Sequence, residues 1–166
     1  MTNVTQILTL GCSDDLYAVP VDRVQEILDP CPVSRLPHAP AHLLGVIDVR
    51  GDDVVLADLR IILGLPVCAD TAATRIVVLW LNREGRRAVI AVKADRVIEV
   101  THLDDNTLTK VPEAGLFAWE ERLVSGIGRC KGKFVTMIDL DSMFQAVSAA
   151  TSSKTVRSHS KDEEAA

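Results

Sequence analysis

The feature that most constrains this chain is an internal duplication. Ala18-Val19-Pro20-Val21-Asp22-Arg23-Val24-Gln25-Glu26-Ile27 aligns without a gap with Ala91-Val92-Lys93-Ala94-Asp95-Arg96-Val97-Ile98-Glu99-Val100, and Ala, Val, Asp, Arg, Val and Glu coincide. Gly45 to Leu59 aligns in the same way with Gly126 to Leu140: Arg50-Gly51 falls on Lys131-Gly132 and Asp58-Leu59 on Asp139-Leu140. Two gapless matches in the same order require two copies of one supersecondary unit. Each copy holds about five short β-branched runs, a set that curls into a small barrel. The reading is two such barrels with a third apolar layer between them.

The central unit of the first copy shows what the repeat is made of. Val46, Ile47 and Val49 precede a polar break and Val54 to Ala57 follow it, so two strands are expected across Arg50-Gly51-Asp52-Asp53. Glycine supplies positive φ there, and the aspartates bond back to their own backbone. Asp58 then caps a short helix through Leu59, Ile62 and Leu63, which Gly64 and Pro66 stop. Arg50, at the edge of the turn, is placed to grip a carboxylate.

Along the rest of the chain, strands are expected over Gln6 to Gly11, Leu16 to Val21, Arg75 to Leu81, Arg87 to Val92, Val97 to Thr101, Leu123 to Cys130 and Phe134 to Ile138. Gln25 to Leu28 is too brief for periodicity to choose between strand and helix. Pro30, Pro32, Pro37 and Pro40 keep the next stretch extended, Pro66 to Thr74 reads as a linker, and Asp104 to Trp119 as an irregular surface loop. Leu140, Met143, Phe144 and Val147 share one face of a closing helix. The expected organisation is one unit over 1–147, with subdomain one at about 12–66, subdomain two at about 75–140 and the helix at 140–147; the barrel to which the first strand belongs stays open. The segment 148–166 offers no apolar anchor and is expected to be a disordered tail, dispensable for folding and partner binding.

Composition narrows the function. With 18 basic and 23 acidic residues the net charge is -5, a poor match for nucleic acid. No apolar run approaches the ~20 residues of a membrane span, so no direct membrane insertion is expected, and Met1-Thr2-Asn3-Val4-Thr5 lacks the opening of an export signal. Cys12, Cys31, Cys68 and Cys130 are widely spaced, as expected of reduced thiols filling small gaps. His38 and His42 stand four apart, but Pro40 lies between them and no third ligand is near, so no metal site is expected. Ser13, Ser34, Ser125 and Ser142 have no nucleophile elbow, Asp52 and Asp53 form a solvated turn pair, and no Gly-rich loop opens a helix. The chain reads as a non-enzyme without cofactor.

The assembled motifs resemble one family, the CheW-like coupling proteins of bacterial chemotaxis. Leu10-Gly11, Tyr17 to Val21 and Val24-Gln25-Glu26-Ile27 are similar to its opening signature. Leu36-Pro37-His38-Ala39-Pro40 and Leu44 to Gly51, closed by Asp58-Leu59-Arg60, are similar to its central one. Ala94 to Val100, Ser125 to Gly128 and Ile138-Asp139-Leu140 extend the likeness over roughly Gln6 to Val147. The resemblance implies an all-β fold with short helices, in two SH3-like five-stranded β-barrel subdomains related by the repeat. It also implies a cytoplasmic adaptor at receptor arrays on the inner face of the membrane. Its partners would be the cytoplasmic tip of a chemoreceptor (a methyl-accepting chemotaxis protein) and the regulatory domain of the CheA histidine kinase, which shares the two-barrel fold. The receptor-binding positions it implies are Val21, Val24, Glu26, Gly45 and Arg50. A paralogous adaptor of another chemosensory-type pathway, such as surface sensing or pilus motility, is the alternative. Two departures from the family pattern stand out: Val55 replaces a common proline, and the Asp52-Asp53 turn is unusually acidic.

Overall fold

The structure, a computed structural model, describes residues 6–111 and 123–145. The last two positions of the expected closing helix, the tail at 148–166 and part of the expected surface loop lie outside the described residues. Among the described residues there are ten strands: β1 Ile7–Cys12, β2 Asp15–Pro20, β3 Val24–Leu28, β4 Leu43–Val49, β5 Asp52–Asp58, β6 Arg75–Arg83, β7 Arg86–Ala94, β8 Arg96–Thr101, β9 Val124–Cys130 and β10 Lys133–Ile138. Helix α1 spans Leu59–Ile62, and a second helix, α2, runs over 140–145. The undecided run at Gln25 to Leu28 is strand, because β6 offers it a ladder.

Turn chemistry sets the hairpins. The central turn is tighter than four residues: Val49 pairs with Asp52, leaving Arg50 (φ 53) and Gly51 (φ 88) between the strands. Cys130 pairs with Lys133 across Lys131 (φ 53) and Gly132 (φ 81) in the same way. Two consecutive positive φ values match the right-handed twist of the flanking strands, which is why both hairpins place glycine second. As expected, Asp58 caps α1, its Oδ1 accepting from Arg60 N at 2.9 Å.

The strands form two five-stranded sheets, ordered β8-β1-β2-β10-β9 and β3-β6-β7-β5-β4. Repeat copies and sheets are therefore different partitions of the chain. Copy one supplies β1 to β5 and copy two β6 to β10, and each sheet takes strands from both. Ile7, Ala18, Leu103, Val135 and Met137 fill the first sheet; Ile47, Val54, Leu56, Ile76, Val78 and Ala91 fill the second. Between the sheets lies the expected third apolar layer, including Leu8, Leu10, Val19, Val77, Leu79, Val92, Ile138 and Met143. Strands β1 and β6 are buried on both faces, which explains their near-continuous apolar runs.

All four cysteines are free thiols. Cys12 and Cys130 are buried and fill gaps as expected, whereas Cys68 is exposed in the linker and fills none. Burial pushes the Cys12 thiol up, and the thiolate is the reactive form. With a chromogenic disulfide reagent, Cys68 should titrate first in the native protein, Cys12 and Cys130 only on unfolding, and all four in denaturant. Prompt native reaction of Cys12 would contradict this packing.

Candidate functional site

The candidate surface begins where β2 ends. Pro20 (φ -58) launches a single 3-10 turn, Val21–Arg23, and the chain passes directly into β3. Val21, Val24 and Glu26 are half-buried, and Val24 packs against the layer between the sheets. Ile27, Val33 and Leu36, which follow in the chain, are exposed.

Strands β3 and β4 stand at opposite ends of their sheet. Even so, Arg50 Nε lies 2.9 Å from Glu26 Oε2, so the sheet curls until its edges meet. The other sheet does the same: Lys131 Nζ lies 2.7 Å from Glu99 Oε1, joining the ends of β9 and β8. The Arg50 side chain is 83% exposed and that of Glu26 20%. An arginine so exposed, on a turn of fixed backbone, can meet a partner's carboxylate without rearrangement.

Each seam turn is braced from below. Gly51 N donates to Asp48 Oδ1 at 2.7 Å. In the second copy, Lys131 N and Gly132 N donate to the Asp104 carboxylate at 3.0 and 2.9 Å, which holds that carboxyl below its ordinary range. The surroundings of the two cations differ sharply. Asp48, Asp52 and Asp53 flank Arg50, whereas the aligned positions near Lys131 are Arg129, Lys133 and Phe134, with the Arg129 guanidinium 4.3 Å from the centroid of the Phe134 ring.

Of the five positions the resemblance implies, the structure joins Glu26 and Arg50 directly and links Val21 and Val24 through the 3-10 turn. Gly45 is buried in β4, not at the surface. There a Cβ would come 2.2 Å from the Ser34 carbonyl oxygen, because the Ser34 strap crosses close over β4 and pairs with Val46 in both directions, at 2.9 and 2.8 Å. Neither histidine of the spaced pair joins the site: His38 is exposed, and His42 is half-buried with its pKa lowered by burial.

Sequence reasoning missed the anchor of the 3-10 turn. Arg23 Nη1 and Nη2 donate to Asp141 Oδ1 and Oδ2, both at 2.9 Å, and Asn82 N donates to Asp141 Oδ1 at 2.9 Å. Trp80 Nε1 donates to the Asp22 carbonyl at 2.7 Å, while Arg23 and Arg87 lie over the Trp80 ring at 4.3 and 4.2 Å. A second arginine–aspartate pair also joins the two copies: Arg60 pairs with Asp95, whose Oδ2 accepts from Ser13 N at 2.8 Å.

The Arg23 fork holds the Asp141 carboxyl below its ordinary value of 3.8 and in turn raises the guanidinium. A carboxylate with a depressed folded pKa adds stability that is complete above the unfolded pKa and fades as pH falls through the folded one. Asp141→Asn should therefore destabilise by ~1–2 kcal/mol at pH 7. In urea unfolding, the gap to the parent chain should close as pH drops below about 4; a gap that does not change with pH would assign the loss to packing.

The chain as a whole is similar to known proteins. The sequence profile of the CheW-like domain matches residues 6–148. The chemotaxis protein CheW of Rhizobium meliloti is 27% identical over 152 residues, covering 87% of this chain and 95% of that protein. That of Helicobacter pylori is 27% identical over 142 residues, covering 86% and 82%. Among solved structures, the scaffolding protein TtCheW from Thermoanaerobacter tengcongensis superposes with a TM-score of 0.73 at 22% identity, over 84% of this chain and 92% of that one. At that identity the likeness speaks for the fold.

Proposed function

The chain belongs to the CheW-like family, whose members are adaptors and not enzymes, and from that premise we propose that it couples the cytoplasmic tips of chemoreceptors to a CheA histidine kinase. The observation that carries the reading is the family match over residues 6–148, which takes in both repeat copies. Its receptor-binding residues are Val21, Val24, Glu26 and Arg50, with Gly45 acting from beneath through the strap it admits. The half-buried valines and exposed Ile27 give apolar anchorage, and the Arg50 fork gives orientation, a division suited to one end of a helical hairpin. The kinase contact is with the regulatory domain. The adaptor works in the cytoplasm, at arrays against the inner membrane face; among the described residues no helix is long and apolar enough to cross a membrane.

Co-sedimentation tests the reading. The protein should pellet with an assembled receptor-tip fragment, bind the kinase regulatory domain on its own, and form a ternary complex when all three are mixed. Binding to neither partner would overturn it. Binding only to the tip and kinase of a surface-sensing or pilus pathway would favour the paralogous role.

A further inference from the structure

Among the described residues, every ladder between the ten strands is either a hairpin within one repeat copy or a junction between the two. The hairpins are β1–β2 and β4–β5 in copy one, and β6–β7 and β9–β10 in copy two. The junctions are β1–β8, β2–β10, β3–β6 and β5–β7. Among the described residues, β3 has no ladder partner in its own copy, and neither has β8.

The junctions repeat rung for rung. Glu26 opposite Val78, Ile27 opposite Val77 and Leu28 opposite Ile76 are matched by Glu99 opposite Thr9, Val100 opposite Leu8 and Thr101 opposite Ile7. Each of these ladders skips one residue at the aligned place, Gln25 in one and Ile98 in the other. The parallel junctions correspond as well: Leu56 opposite Ala91, and Met137 opposite Ala18. The exchange is therefore reciprocal, with each copy giving the other's sheet what its own strands cannot supply.

Hinge length explains why the exchange is forced. For copy one to close on itself in the same strand order, β3 would have to lie beside β1 and parallel to β2. A parallel connection needs a crossover of about a dozen residues. Only Val21–Arg23, held in a 3-10 turn, separates β2 from β3, and only Asp95 separates β7 from β8. Both hinges send the chain straight on into the other sheet.

We infer that the two repeat copies are obligate partners: the binding surface each presents fits the other copy, supplied within the chain by the linker Pro66–Thr74 or, when that tether is cut, by a separate molecule. The inference stands apart from the adaptor reading, since it rests on strand pairing alone. It also gives that reading a structural condition. Glu26 and Arg50 lie in copy one, but the sheet that carries them needs β6 and β7 of copy two.

The test uses the full chain with a protease site inserted between Asp70 and Thr71, cleaved after folding. The two pieces should co-elute at the size of the uncut protein and unfold in one transition. The midpoint of that transition should rise with protein concentration, whereas that of the uncut chain should not. Separate elution of two pieces, each with its own cooperative transition, would overturn the inference. Amide exchange in the uncut chain gives an answer even if the cut protein aggregates. The slowest amides of β3 and β6 should share one opening free energy; distinct opening energies for the two copies would count against obligate pairing.

Discussion

Arg50→Glu should abolish binding to a receptor-tip fragment, while Lys131→Glu leaves the affinity within a few fold. The two positions are equivalent in the repeat, each opening a tight turn at φ 53, and each pairs across a sheet seam with an aligned glutamate. Reversal places a like charge beside Glu26 in one variant and Glu99 in the other. Exposed ion pairs add little to stability, so both variants should lose similar and small amounts. Any difference in binding then reports the partner and not the fold. A charge reversed in a docked, partly desolvated pair costs ~2–5 kcal/mol of binding, whereas a rim charge mainly alters the on-rate. Arg50 is the single cation among Asp48, Asp52 and Asp53, so its reversal leaves that hairpin wholly acidic, while Lys131 stands among Arg129 and Lys133. Only the arginine has a planar fork. Calorimetric titration of both variants against one receptor fragment decides the matter: equal losses, or a greater loss for Lys131→Glu, would sink the assignment.

Local structure was legible in the sequence because local chemistry decides it. Arg50-Gly51 and Lys131-Gly132 mark their turns, although the central one closes on two residues where four were expected, Asp58 caps its helix through a hydrogen bond two residues away, and the longer β-branched runs are strands. The repeat revealed two equivalent units and the matched charges of Glu26, Arg50, Glu99 and Lys131. It could not reveal which copy's strands lie side by side. Alignment establishes equivalence, and equivalence is satisfied equally whether β3 pairs with β1 of its own copy or with β6 of the other; the apolar pattern is the same in both. The choice falls to the hinges at Val21–Arg23 and Asp95, whose shortness matters only once β3 and β8 are known to run antiparallel to the strands beside them. The Arg23–Asp141 anchor was hidden for the same reason, since it joins residues that the exchange brings together.

Gly45→Ala should be the most damaging single-methyl change in the first copy. Gly45 adopts φ +146 in the middle of β4, and a Cβ there would stand 2.2 Å from the Ser34 oxygen and 2.8 Å from Val33 Cγ1. The first obstacle is backbone, and that backbone is held by the paired Ser34–Val46 hydrogen bonds, so it cannot swing aside as a flexible side chain would. Alanine must accept a strained φ, at ~1–3 kcal/mol, and also displace the strap, loosening hydrogen bonds worth ~1 kcal/mol each. A total near 3–4 kcal/mol in a chain of 166 residues lowers the melting midpoint by roughly 6–16 °C. Gly51→Ala is the control: its φ of +88 carries similar strain, but nothing lies within 4 Å of its Cβ, so it should lose only the conformational part. Gly126→Ala tests the steric part alone in the second copy, where φ is not positive and the Thr109 oxygen waits at 2.6 Å. Because Gly45 is buried, its effect on receptor binding should follow displacement of the strap that carries Val33, and affinity should fall together with the midpoint. Calorimetric melting of the three variants measures the steric share directly. A Gly45→Ala protein that melts with the parent chain would show that the strap moves freely, and would overturn this account of Gly45.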